Sequence, residues 1–195
     1  SWIINKVIKD KGGLHNRVTG RISLQPFTLK ECEDYYKSRG ISMDRKHQIE
    51  AYMVFGGIPY YLDMLRNNMS LPQNIDNLFF SKSAILRLEY DRLFSSLFVN
   101  PEAYKKIVGL LARKRIGYTR KEIAEKTKIP YGGGLSNMLK ILETNDLIIS
   151  YIPLGLTKKD VHYKLVDSYC LFYNHFCSET NPQFWQQNNQ STSLN

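Results

Sequence analysis

The sequence predicts a mostly α chain: a helical bundle followed by a winged helix-turn-helix with a small β-hairpin. Three observations predict it. Apolar residues recur at helical spacing across residues 28–100. Residues Pro101–Val166 run helix, helix, turn, helix, hairpin, the order of a winged helix. The charge is also uneven: residues 101–145 hold ten basic and four acidic residues, whereas residues 28–100 hold nine of each. Four segments follow from this reading: 1–27, 28–100, 101–178 and a polar tail over 179–195.

Size and composition bound the rest. A chain of 195 residues suits one large domain or two small ones. Thirteen Tyr and nine Phe argue against disorder. No apolar run approaches the roughly 18 residues that span a bilayer, and no signal-type segment is evident. A cytoplasmic protein with no membrane partner is expected. Cys32, Cys170 and Cys177 are odd in number and at no metal-ligand spacing, which fits free thiols in a reducing compartment. The four histidines are scattered, so no metal is expected.

Along the first half, Ser1–Lys11 reads as a helix with Ile3, Ile4, Val7 and Ile8 on one stripe. Arg21–Phe27 alternates apolar and polar residues up to Pro26 and reads as a short strand. A lone strand is unstable in water, so this one is expected to pair outside the segment, as if the sequence began inside a larger domain. Thr28 opens a helix with Glu31 at the capping-box position, ending near Arg39 before Gly40. Asp44 caps a second helix through Phe55. Gly56-Gly57-Ile58-Pro59 is a sharp turn, followed by a helix over Tyr60–Asn67. Ser70–Ala84 holds a short helix starting after Pro72. Ile85–Phe98 is amphipathic through Leu86, Leu88, Leu93 and Leu97.

In the second half, Pro101 suits the first turn of a helix that continues to about Lys114. Its stripe is Ile107, Leu110 and Leu111. Thr119 and Glu122 form a capping box for a helix to about Lys128, with Ile123 and Ala124 inward. Ile129–Gly134 is a turn. Leu135–Asn145 places Leu135, Met138, Leu139 and Leu142 at i, i+3, i+4, i+7. Leu147–Ile152 and His162–Val166 read as strands joined through Pro153–Asp160. Asp167–Ser178 is an aromatic-rich helix expected to pack against the winged helix.

The charge of residues 101–145 suggests an anionic partner, most simply duplex DNA. On the third winged-helix helix, Ser136, Asn137 and Lys140 face outward. Tyr131 and the Gly132-Gly133-Gly134 backbone precede its N-terminus, where N–H groups can grip a phosphate. Arg120, Lys121, Lys158 and Lys159 would flank the duplex. Asn137 can read an adenine edge, but the face has little Arg, so contacts to the DNA backbone are favoured over base reading. The alternative is a winged helix used for packing within the protein or with a protein partner. No G-x-x-x-x-G-K-[ST] loop and no apolar strand ending in paired acids occurs, so no hydrolysis is expected of this chain by itself.

The stretches SWIINKVIKDKGGLHNRVTGRISLQPFTLKE, EAYMVFGGIPYYLDML, EYDRLF and LVDSYCLFYNHF resemble the downstream part of the archaeal-type ATPase family, within the AAA+/STAND group of P-loop ATPases. The resemblance implies that residues 1–27 are a remnant of the nucleotide core, that 28–100 form a helical lid, and that the winged helix follows. It also implies ATP and magnesium as cofactors of a longer parent, with none held by this chain. Partners of that parent would be the missing ATPase core, a nuclease-like domain beyond Phe184-Trp185, and further copies in an oligomer. Gly57-Ile58-Pro59 looks like the family's GxP lid motif, which would set Pro59 against the adenine ring. A tight helix–helix turn fits the same residues. Arg17 and Arg21 would reach a γ-phosphate; plain surface charge is the alternative. The sequence departs from the family in lacking the Walker A and Walker B segments.

Overall fold

A computed structural model describes residues 24–157 and 160–178, and there the chain is mostly helical with one small antiparallel sheet. The helix expected at Ser1–Lys11, the site residues Arg17, Arg21, Lys158 and Lys159, and the tail from Glu179 lie outside the described residues. Residues 24–27, the end of the expected strand, form no strand. A ladder-like bond runs from the Phe27 N–H to the Gly57 carbonyl, at 2.7 Å.

Local chemistry accounts for the helix starts. Helix α1 (Leu29–Ser38) opens on Thr28, whose N–H donates to the Glu31 carboxylate at 2.7 Å while its hydroxyl accepts from the Glu31 N–H. That exchange satisfies two N–H groups that a first turn leaves open. Helix α2 (Arg45–Phe55) is capped by Asp44, which accepts from the His47 N–H at 2.8 Å. Helix α3 (Pro59–Leu62) stops well short of Asn67. The reason is Asn74, a buried polar side chain. Its amide donates to the carbonyls of Arg66, Met69 and Ser70, and its oxygen accepts from the Arg66 N–H. Backbone groups satisfied this way need no helix.

Helix α4 (Leu71–Ile75) begins one residue before Pro72, because a proline in the first turn forfeits no helical bond. It runs straight into a π-helical turn at Asp76–Phe80. In helix α5 (Ile85–Leu97) the buried face is Leu86, Tyr90 and Phe94, at i, i+4, i+8. Leu88 is exposed, so the stripe follows helical spacing rather than the leucines.

The second half holds α6 (Pro101–Ala112), β1 (Tyr118–Thr119), α7 (Arg120–Thr127), α8 (Gly133–Thr144), β2 (Ile148–Tyr151) and β3 (His162–Leu165). The sheet order is β1-β3-β2, antiparallel throughout, with Tyr118 opposite Tyr163 and Ile148 opposite Leu165. Strand β1 was not expected from the sequence. Gly117 leads into it at φ +70°, and a Cβ there would lie 2.0 Å from the Tyr163 carbonyl oxygen. Only glycine lets the chain cross β3 that closely. Thr119 and Glu122 form the expected capping box, and Lys128 closes α7 in the left-handed conformation. Helix α8 begins at Gly133, two residues before the expected start.

Helix α9 (Ser168–Phe176) lies across both halves and packs on α2, α6 and α5. The expectation of packing against the winged helix therefore describes only one of its faces. The Tyr169 hydroxyl donates to the Leu86 carbonyl at 2.6 Å, Tyr173 stacks on Tyr90 at 3.8 Å, and Phe98 stacks on Tyr104 at 3.9 Å. Aromatic pairs of this kind add to area burial. The result is a continuous core from Cys32 on α1 to Leu165 on β3. All three cysteines are buried and outside any disulfide. Burial pushes the Cys32 thiol up to about 11 and Cys177 to about 12, so neither is a thiolate nucleophile at neutral pH. Among the described residues no helix is long and apolar enough to cross a membrane.

Candidate nucleic-acid interface

Arg120 opens α7, and the turn after α7 brings Tyr131 and the start of α8 back to it. Its guanidinium donates to the Ser136 hydroxyl at 2.5 Å and to the Tyr131 hydroxyl at 2.6 Å, and lies 4.4 Å from the Tyr131 ring centre. The Tyr131 hydrogen bond raises the guanidinium's pKa further, so the charge is permanent. Two of the sequence-selected residues, Arg120 and Ser136, are thus brought into direct contact. Lys121, Asn137 and Lys140 are exposed on α7 and α8. Lys158 and Lys159 fall outside the described residues.

Helix α8 starts at Gly133 with Gly132 as its cap residue and no side-chain cap bond. Gly132, Gly133 and Gly134 have no neighbour within 4 Å of where a Cβ would sit. The first N–H groups of α8 have no side-chain cap and carry the partial positive charge of a helix N-terminus. The helix itself is nearly neutral. Lys140 is offset by Glu143, whose carboxylate accepts from both the N–H and the hydroxyl of Ser150 on β2. Base reading by α8 has few side chains to draw on.

Sequence reasoning passed over the turn between α6 and β1. Arg113 and Arg115 are exposed there. The Tyr151 hydroxyl donates to the Ile116 carbonyl at 2.7 Å, fixing this basic turn against β2 and the root of the wing. The run Arg113-Lys114-Arg115 was the available signal. Lys114 is partly committed, 3.9 Å from Glu122 and 5.1 Å from the centre of the Tyr118 ring. The described part of the wing is apolar: Ile152, Leu154 and Leu156 are exposed. Asp160 accepts from the N–H and hydroxyl of Thr157 and closes the wing loop.

The Gly56–Pro59 turn is the second place the sequence singled out. Gly57 is buried, and a Cβ on it would lie 1.8 Å from the Phe27 carbonyl oxygen. Its identity is accounted for by this backbone crossing. Pro59 is exposed at the first position of α3, beside exposed Tyr60. The described residues do not by themselves fit a nucleotide: Pro59 offers one apolar edge, and the space beside Gly57 is filled by Phe27. Among the described residues no group of His, Cys, Asp or Glu is arranged to hold a metal ion.

No protein-family model matches the chain, and no solved structure matches it. The chain is similar to an uncharacterized protein, MJECL04, of Methanocaldococcus jannaschii, with 24% identity over 184 residues. The match covers 89% of this chain and 38% of that protein, so the chain spans well under half of the relative's length.

Proposed function

We propose that this chain is the helical and winged-helix part of a larger ATP-binding protein, and that its winged helix binds duplex DNA through the phosphate backbone. The observation that carries the reading is Arg120. It stands at the helix-turn-helix beside the uncapped N-terminus of α8, held by two hydroxyls and, among the described residues, no carboxylate. Exposed Lys121, Lys140, Arg113 and Arg115 extend the positive surface. Contacts of this type position a protein on DNA without reading sequence. ATP and magnesium belong, in this reading, to a P-loop core outside this sequence, with Pro59 offering an apolar edge and Arg17 and Arg21 reaching toward the phosphates. An oligomeric parent and a cytoplasmic location are part of the same proposal.

A second reading rests on the wing. Ile152, Leu154 and Leu156 form an exposed apolar tip, which suits contact with protein better than with phosphates. Fluorescence anisotropy with a labelled duplex separates the two. DNA binding predicts affinity that falls steeply as salt rises, and a loss of about tenfold or more for Lys121→Glu/Lys140→Glu. Absence of binding at low salt supports the packing role.

A further inference from the structure

We propose that Arg120, Tyr131 and Ser136 form a preassembled phosphodiester clamp, in which Tyr131 is the positioning residue. The inference rests on the DNA reading above and specifies how the surface engages the backbone. Arginine carries five N–H donors in a rigid fork. Two are used here, one on the Ser136 hydroxyl and one on the Tyr131 hydroxyl, leaving the others for a phosphate. Both partners are neutral, so the full positive charge remains.

Two other cations among the described residues are treated differently. Lys105 lies 2.6 Å from Asp91 and 2.9 Å from Glu102, and Arg39 lies 2.8 Å from Asp63. Those pairs are neutralised. The acid nearest in sequence to Arg120, Glu122, is committed to the Thr119 N–H and hydroxyl. A guanidinium tied, among the described residues, to hydroxyls alone, against the ring of a tyrosine that is 60% exposed, is oriented without being cancelled. Its rotamers are restricted on folding rather than on binding, which favours affinity. The same three residues join the start of α7 to the first turn of α8. A phosphate bound there would also meet the uncapped N–H groups of α8.

The experiment measures the affinity of the whole chain for a short labelled duplex over a range of salt concentrations, with thermal unfolding of each variant alongside. Arg120→Gln is expected to weaken binding about tenfold and reduce the slope of log affinity against log salt by about one. Arg120→Lys keeps the charge but lacks the fork, so it is expected to keep the slope and lose affinity several-fold. Tyr131→Phe retains the ring and removes one hydroxyl. It is expected to keep both fold and slope and to weaken binding about threefold, consistent with one lost orienting bond. Wild-type affinity in Tyr131→Phe would overturn its positioning role. Unchanged slope and affinity in Arg120→Gln, with the wild type binding normally, would reduce the cluster to a structural tie between helices. A wild-type chain that fails to bind duplex at low salt would remove the DNA reading itself, and the clamp with it.

Discussion

The backbone of Phe27 crosses Gly57 so closely that a Cβ on Gly57 would sit 1.8 Å from the Phe27 carbonyl oxygen. The same crossing carries the Phe27 N–H to Gly57 carbonyl bond. The turn before α3 and the segment leading into α1 are therefore locked together by one glycine. Gly57→Ala must separate the two backbones, because neither is a flexible side chain. The expected loss is at least about 2–3 kcal/mol of stability, from overpacking and the broken bond. Chemical denaturation of the variant measures it. A variant as stable as the wild type would show that the crossing tolerates a Cβ.

Tyr169 reaches from α9 to α5, where its hydroxyl meets the Leu86 carbonyl inside the core. Tyr169→Phe keeps the ring packed against Tyr61 and Phe79 and removes only the hydroxyl. The expected loss is about 1–2 kcal/mol, the worth of a buried hydrogen bond. The transition is expected to stay single, since one core spans both halves. Two separate thermal transitions would contradict that continuity.

Asp167 caps α9 by accepting from the Cys170 N–H at 2.7 Å, yet burial raises its pKa above the ordinary carboxylate range. Burial outweighs the cap bond, which acts in the opposite direction. The sign follows: the folded state holds the proton more tightly than the unfolded state. Asp167 thus lowers stability at neutral pH, and this penalty fades as pH falls through its folded pKa toward the unfolded value of about 3.9. Asn keeps the cap acceptor without the charge. Asp167→Asn is expected to be more stable than the wild type at pH 8, with the gap closing toward pH 4. Asp167→Ala loses the cap and is expected to be destabilised by about 1 kcal/mol. Urea denaturation across pH gives both results; a gap that widens on acidification would contradict the burial argument.

What the sequence made legible was local chemistry. Thr28 with Glu31, and Thr119 with Glu122, announce helix starts because cap and partner lie within four residues. The winged-helix order was legible for the same reason, one periodic segment at a time. Strand β1 was not, since two residues become a strand only through β3, more than forty positions later. The shortened α3 depends on Asn74, a polar residue that collects carbonyls from a neighbouring loop. In the candidate interface, Arg120 and Ser136 were chosen separately for charge and exposure. Their direct contact, with Tyr131 as a second partner of Arg120, was hidden, because the turn that joins them is tertiary geometry. The leucine pattern of α5 misled at Leu88, where identity was followed instead of spacing.

Duplex DNA is proposed to meet this chain at the α7–α8 face. Amide chemical-shift perturbation on adding a short duplex at low salt tests it most directly, residue by residue. The amides of Thr119–Lys121 and Tyr131–Lys140 are expected to respond first and to recover as salt is raised. No response at low salt, or a response confined to the Gly56–Pro59 turn and α2, would contradict it.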